Sequence, residues 1–267
     1  MPNAPIDTTA AESYEQHLVP GMFRHFAERV VDLANPQPGE RVLDLACGTG
    51  IGARLAARRI GEPAAVAGLD LDAAMLSVAA RLARDMGAAI DWHCANALTM
   101  PFADHSFDLC LCLQGLQFLP DRVAGFAEIR RVLEPRGRLC ATMWAPLEYN
   151  LGHQALVRAL ENQGADAAPA RRPCSFSNAD EIRDAARSAG FRSIDLHAED
   201  GVSDFASIDS FLEGITVGAP STRHAVARLS QDGRSAFAAD VIALLQPYLA
   251  SGRLAYPMRT FILIARP

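Results

Sequence analysis

The stretch 41-RVLDLACGTGIGARLA-56 decides how this chain is read. Val42, Leu43, Leu45 and Ala46 around Asp44 read as a buried strand. Gly48 and Gly50 read as a tight turn, and Ile51 onward as a helix. A helix that opens straight from a glycine turn presents free backbone N–H groups and its positive dipole end. Such a turn is ready to hold an anion or a nucleotide. The spacing Gly48-x-Gly50-x-x-Ala53 is compatible with a dinucleotide fingerprint. Asp44 pulls the other way, because a carboxylate so close to the turn repels a pyrophosphate and attracts an ammonium.

Outward from this stretch the chain alternates. Residues 12–34 carry apolar positions at helical spacing, including Leu18, Met22, Phe23, Phe26, Val30 and Leu33. "AAVAGLDL" (64–71) reads as a second strand, opened by the break at Gly61-Glu62-Pro63. The helix that follows is capped by Asp72 and stopped by Gly87. "AIDWHCA" (89–95) and "SFDLCLCLQ" (106–114) read as strands. The second of these is apolar nearly throughout, as a strand buried on both faces should be. "RVAGFAEIRRVL" (122–133) reads as a helix ended by Pro135 and Gly137, and "RLCATMW" (138–144) as a fifth strand. The regular rhythm stops near Trp144. "HQALVRALENQG" and "ADEIRDAARSAGF" then read as helices, and "RSIDLHAE" (192–199) as a sixth strand. Mostly helical residues fill about 205–250, and "RTFILIARP" (259–267) is a last strand. Alternation of this kind implies right-handed crossovers and a parallel sheet covered on both faces.

Composition narrows the possibilities. At 267 residues with 50% hydrophobic content, one α/β domain with a sizeable core is expected. The net charge is −6, and the basic pairs Arg58-Arg59, Arg130-Arg131 and Arg171-Arg172 make no stripe, so a nucleic-acid partner is not expected. All 25 basic residues are arginine. That excludes a Walker phosphate loop, a Schiff-base lysine and the Tyr-x-x-x-Lys pair of short-chain dehydrogenases. No signal pattern and no long apolar run point to export or a membrane, so the cytosol is the expected location. Cys47, Cys94, Cys110, Cys112, Cys140 and Cys174 read as small buried hydrophobes, without the flanking ligands of a metal site.

A ligand that answers both Asp44 and the free N–H groups is an α-amino acid, with its ammonium on the carboxylate or its water and its own carboxylate on the turn. S-adenosylmethionine is such a ligand, with adenosine at its far end. Asp70 ends the second strand roughly 20 residues past the glycines, where an acid accepts ribose hydroxyl protons. NAD enzymes share that acid, so it supports a nucleoside without choosing between the two. "VLDLACGTG", "GLDLDAAML", "ANALTMPFADHSFD", "LCLQGLQFLPD" and "EIRRVLEPRGRL", in that order over about residues 41–140, make the chain resemble a class I S-adenosylmethionine-dependent methyltransferase of the small-molecule type with an N-terminal helical lid. The resemblance implies a Rossmann-like, doubly wound, seven-stranded sheet, mostly parallel with the last strand antiparallel. It divides the chain into a lid (1–34), a cofactor-binding core (35–145) and a completion of the sheet carrying a helical substrate cap (146–267), all in one structural domain.

The resemblance also assigns roles. Asp44, Ala46, Cys47, Gly48 and Gly50 would hold the methionine end. Asp70 would hold the ribose, with Leu71 and Met75 packing on the nucleoside. Asn96 and Ala97 would meet the adenine, and Leu113 and Gln114 would line the sulfonium. Tyr14 would lie over the cofactor from the lid. Asn96 stands where the family commonly has Asp, Ala46 where Gly is common, and Arg136-Gly137 replaces a Gly-Gly turn at the surface. From side-chain chemistry, Cys47 and Met75 also fit plain packing, as do Phe118 and Trp144. Methyl transfer from a sulfonium needs alignment and exclusion of water more than a sharp catalytic motif. His17 and His153 are the candidate bases, with Glu148 and His224 behind them, and Gln117 is a candidate for lining the reaction site. The acceptor pocket is expected from residues 12–30, 144–155 and 205–225. Their apolar content favours an apolar or aromatic small molecule, as in natural-product metabolism. O-, N- and C-methylation stay open, as does homodimerisation. Two other readings stand beside this one: an atypical S-adenosylmethionine-binding protein, cyclase-like or regulatory, and an NAD(P)-dependent oxidoreductase.

Overall fold

A computed structural model describes residues 6–61 and 65–267. Glu62 and Pro63, read as the break before the second strand, lie outside the described residues, as do residues 1–5 of the expected lid. The strands are β1 (Val42–Leu45), β2 (Val66–Asp70), β3 (Asp91–Cys94), β4 (Phe107–Leu113), β5 (Leu133–Trp144), β6 (Ser193–Phe205), β7 (Leu249–Ala250) and β8 (Arg253–Arg266). The sheet runs in the order β3-β2-β1-β4-β5-β8-β6, with β7 pairing β8 alone. The first five strands pair in parallel, and β8 is antiparallel to both β5 and β6. The order reverses between β1 and β4, which puts a crevice beyond their C-terminal ends, where α/β sheets bind ligands.

Alternation along the strands divides the core in two. Val42, Val66, Leu109, Leu111 and Cys140 pack one face against Val30, Ala53 and Ala57 of helices Arg24–Ala34 and Ile51–Ile60. Leu43, Leu45, Leu69, Cys110, Cys112 and Met143 pack the other against Phe126, Ile129 and Ile182 of helices Arg122–Val132 and Ala179–Ser188. A third apolar cluster forms the cap. It joins Leu156 and Leu160 of helix Leu151–Asn162 to Phe211, Phe237 and Val241 of helices Ile208–Glu213 and Gln231–Leu245. Leu18, Met22, Phe26 and Trp144 tie it to the N-terminal arm and to β5.

The arm is helical at Thr9–Ser13, widens to a π-helix over Tyr14–Phe23, and returns to an α-helix at Arg24–Ala34. Pro20 lies inside the wide section, where its missing N–H and its ring cannot fit an α-helical turn.

Four readings change. β5 starts at Leu133, not Arg138, because the Pro135-Gly137 turn is a bulge inside the strand: pairing with β4 shifts between Phe107↔Leu133 and Leu109↔Arg138. Arg136 is exposed, but Gly137 is buried, and a Cβ there would lie 3.0 Å from the Asp108 and Glu134 carbonyl oxygens, so this is not purely a surface turn. β6 and β8 each run six residues further, as an antiparallel ribbon paired out to Phe205↔Leu254. Over 200–204 ("DGVSD") Ser203 is buried and Val202 exposed, so no apolar alternation marks the strand, yet the arm packs on it, with Phe26 over Gly201. Finally, Cys94 is exposed while the other five cysteines are buried.

Candidate active site

The glycine turn forms as its sequence requires. Gly48 and Gly50 have φ of +54° and +80°, a region L-residues rarely enter. Gly50 also faces Trp92, whose ring would be 2.5 Å from a Cβ. Ala46 adopts φ +53° despite its methyl group. That methyl fits because Gly115 faces it; a Cβ on Gly115 would be 2.7 Å away. The turn after β1 and the exit of β4 are thus built against each other.

Asp44 is buried beneath the turn. Its Oδ2 accepts from Ala53 N at 2.7 Å, and among the described residues no donor meets Oδ1. Burial pushes its pKa up to about 7. The Asp70 charge adds to this, while the Ala53 bond and Arg54 oppose it. The carboxylate is therefore short of positive charge. Asp70 accepts from Gly48 N at 2.8 Å and from Asp72 N at 2.9 Å. Each of its oxygens keeps a lone pair for a further donor. Asp72 caps the next helix by accepting from Ala74 N at 2.8 Å. Cys47 is buried, and burial holds its thiol well above the usual range, so it is packing rather than a nucleophile.

A cavity of ≈ 750 Å³ opens at the C-terminal edge of the sheet, within the size range of small-molecule sites. It brings together Tyr14, Ala46, Gly48, Asp70, Leu71, Met75, Asn96, Ala97, Leu113 and Gln114. A narrow extension of ≈ 30 Å³ under the turn adds Asp44 and Cys47. Gly50 lines neither and shapes the turn from behind. Leu71 is 74% exposed at the rim, an apolar surface facing ligand space. Met75 is both lining and core, packed with Ala11 and Val78. The Asn96 carboxamide oxygen already accepts from Leu98 N at 2.9 Å, which leaves its NH₂ as the freer group.

The other half of the cavity is lined by the arm, the exit of β5 and the cap. Leu18, Met22 and Phe23 come from the arm, Trp144 and His153 from the exit of β5, and Ile215 and Ala219–Thr222 from the cap. Phe118–Pro120, Leu156 and Pro173 complete it, and of these only Phe118 was anticipated from sequence. His153 is buried, its Nδ1 has no partner, and burial lowers its pKa to about 4, so it stays neutral.

The remaining candidates fall elsewhere. His17 bonds to Ser210 Oγ at 2.9 Å, tying the arm to the cap rather than facing the cavity. Tyr14 lines the cavity and His17 does not, because in the π-helical section residues at i and i+3 no longer share one face. Gln117 sits behind Gln114, donating to its Oε1 at 3.0 Å, while Gln114 donates to Thr260 at 3.0 Å. Gln117 thus positions a lining residue and does not line the cavity itself. Glu148 is exposed on another surface groove, and His224 lies in a separate cleft between helices. One contact had no sequence signal: Glu15 of the arm accepts from Thr49 Oγ1 at 2.6 Å and from Arg54 at 2.8 Å. It latches the arm onto the glycine turn itself.

The fold and the turn resemble those of class I S-adenosylmethionine-dependent methyltransferases, and residues 43–141 match the family described as "Methyltransferase domain". The cofactor of that class is S-adenosylmethionine, with S-adenosylhomocysteine as product. The chain is 39% identical over 120 residues to a 2-phytyl-1,4-naphtoquinone methyltransferase of Synechococcus elongatus, covering 44% of this chain and 52% of that one. It spans about half the length of the curated relatives it matches. In fold it is similar to the YcgJ protein of Bacillus subtilis, with TM-score 0.61 and 17% identity, covering 91% of this chain and 98% of that one. It is also similar to phosphoethanolamine N-methyltransferase 2 of Haemonchus contortus, with TM-score 0.62 and 22% identity, covering 98% and 58%. Among the described residues, no helix is long and apolar enough to cross a membrane.

Proposed function

We propose that this chain transfers a methyl group from S-adenosylmethionine to a small apolar or aromatic molecule, by O-, N- or C-methylation, in natural-product or related metabolism. One observation carries the reading: a single cavity joins the glycine turn and Asp70 to an apolar wall around Leu113 and Gln114. Asp44 and the Gly48–Gly50 backbone would hold the methionine end and Asp70 the ribose. Leu71 and Met75 would hold the nucleoside, Asn96 and Ala97 the adenine. The under-neutralised Asp44 and the exposed Leu71 fit that ligand and not a pyrophosphate. When bound, the cofactor supplies a methyl group already activated on a sulfonium. The protein's own work is alignment and dryness: Leu113 and Gln114 fix one side, Tyr14 closes from above, and the arm and cap exclude water. Burial and the nearby Asp70, Glu15 and Asp44 carboxylates hold the Tyr14 phenol above its usual pKa, so it remains a neutral donor. Of the three catalytic candidates, His153 is the one the cavity favours. The relative whose name specifies a naphthoquinone supports a ring-bearing acceptor.

Calorimetry tests the reading. S-adenosylhomocysteine is expected to bind at micromolar concentration and NADH not to bind. The reverse result would sink it in favour of an oxidoreductase. Binding without release of S-adenosylhomocysteine from any member of an aromatic acceptor panel would favour the cyclase-like or regulatory use of the pocket.

A further inference from the structure

The glycine turn already holds a carboxylate, and it is the protein's own. Glu15 of the arm accepts from Thr49 Oγ1 at 2.6 Å and from the Arg54 guanidinium at 2.8 Å. Both side chains of that ion pair are largely shielded from water. Arg54 also donates to Gly50 O at 3.2 Å, which fixes its cation against the turn.

The backbone of the turn is a poorer cradle for an anion than its sequence promises. The N–H groups of Cys47, Gly48, Gly50 and Ala53 are spent inside the fold, on Leu69 O, Asp70, Cys47 O and Asp44 respectively. Among the described residues no arginine lines the cavity or its narrow extension, and the chain has no lysine. An amino-acid ligand carries its ammonium and its carboxylate on one carbon. Asp44 and Thr49 line the same narrow extension, so a carboxylate whose ammonium answers Asp44 arrives beside Thr49. There it meets a like charge that already holds the hydroxyl and the cation it needs. A carboxylate taken out of water without a counter-charge is costly, and a second one beside it adds repulsion.

We propose that Glu15 is an internal competitor for the cofactor's carboxylate. Thr49 and Arg54 form the carboxylate subsite, and they exchange Glu15 for the methionine carboxylate when the cofactor binds. This rests on the methyltransferase reading and deepens it. The Glu15 latch on the arm is given up in the exchange, and cover of the loaded site then rests on the apolar packing of Leu18, Met22 and Phe26.

The test compares two ligands on the full chain by calorimetry. S-adenosylhomocysteine carries the amino-acid end, whereas 5′-methylthioadenosine keeps the adenosine and the thioether and lacks it. Glu15→Gln weakens the competitor and keeps its shape, so S-adenosylhomocysteine should bind about tenfold more tightly, with little change for 5′-methylthioadenosine. In Arg54→Leu the affinity for S-adenosylhomocysteine should fall about tenfold relative to 5′-methylthioadenosine, and adding Glu15→Gln to it should bring no gain. A Glu15 that merely holds the arm would move both ligands together. Unchanged or weaker binding of S-adenosylhomocysteine in Glu15→Gln, or a gain that persists without Arg54, would overturn the proposal. The unaltered chain gives an independent answer even if a variant does not fold. Amide exchange over residues 9–16 should be faster with S-adenosylhomocysteine bound than in the empty chain or with 5′-methylthioadenosine, because only the amino-acid end displaces Glu15. Equal or slower exchange would overturn the proposal as well. Failure of S-adenosylhomocysteine itself to bind would instead refute the methyltransferase reading, so the two are separable.

Discussion

Asp70 has two tasks, and they set the size of its expected effect. Its carboxylate would receive the ribose hydroxyls, and it already fixes the turn through Gly48 N and the following helix through Asp72 N. Asp70→Ala removes the ribose contacts and leaves two backbone donors unpaired. Charge-assisted hydrogen bonds of this kind are worth about 1–3 kcal/mol, so S-adenosylhomocysteine should bind roughly 5- to 150-fold more weakly. Asp70→Asn keeps an acceptor oxygen and should fall between Ala and the native residue. Titration calorimetry of the three proteins checks the order, and unchanged affinity in Asp70→Ala would remove Asp70 from the site. The same scale explains what was readable in advance. Asp44, Gly48 and Asp70 are fixed by a local strand–turn–helix geometry that the sequence spells out. The role of Ala46 is not local: its methyl depends on Gly115 at the exit of another strand, a contact no linear pattern reveals.

The N-terminal arm is the element whose behaviour the structure makes most specific. It covers the cavity with Tyr14, Leu18, Met22 and Phe23. It is held by Glu15 on Thr49 and Arg54, and by Glu12 on Arg81 at 2.6 Å. The Glu15 pair is largely shielded, with side chains 15% and 13% exposed, whereas Glu12 and Arg81 are well solvated and contribute little. Glu15→Gln should therefore loosen the arm by about 1.4 kcal/mol, roughly a tenfold increase in opening. Hydrogen exchange over residues 9–34 should quicken accordingly while β1 stays protected. Exchange unchanged in the arm would mean that apolar packing alone holds it. The arm's other side is tested at Gly21, where a Cβ would lie 2.5 Å from the Phe205 ring. Overpacking costs about 1–3 kcal/mol, against about 1 kcal/mol regained from helix propensity. Gly21→Ala should thus lower stability modestly, by up to about 2 kcal/mol in urea unfolding, and a clear stabilisation would contradict the close contact. Periodicity located this arm but misplaced His17, because the widened turns from Tyr14 to Phe23 are not encoded in an apolar pattern of period 3.6. The far end of the β6–β8 ribbon is hidden for a similar reason: with Ser203 buried and Val202 exposed the apolar alternation fails there, and the backbone pairing out to Phe205↔Leu254 is what makes it a strand.

For the molecule as a whole, buried titratable groups at the site make stability depend on pH in opposite directions, Asp44 and Asp70 one way and His153 the other. Asp44 has a pKa raised by burial to about 7, so between its unfolded value and pH 7 the folded chain holds a proton that the unfolded chain has released. Stability contributed through Asp44 therefore falls as pH rises across that window and levels off above it. Asp70, raised chiefly by burial, acts in the same direction. His153 is lowered to about 4; the unfolded chain takes up its proton first as pH falls, so its contribution rises with pH between about 4 and 6.5. The raw pH profile mixes these, but a ligand separates them. An ammonium placed at Asp44 repays the cost of its charge, which exists only where the carboxylate is ionised. S-adenosylhomocysteine should consequently raise the melting temperature more at pH 8 than at pH 5.5, and its affinity should weaken as pH falls through 7. Asp44→Asn should flatten that difference while leaving the His153 contribution in place. A ligand-induced shift that is the same at both pH values in the native chain would show that Asp44 holds only the start of the helix at Ala53, and that the ammonium is met elsewhere.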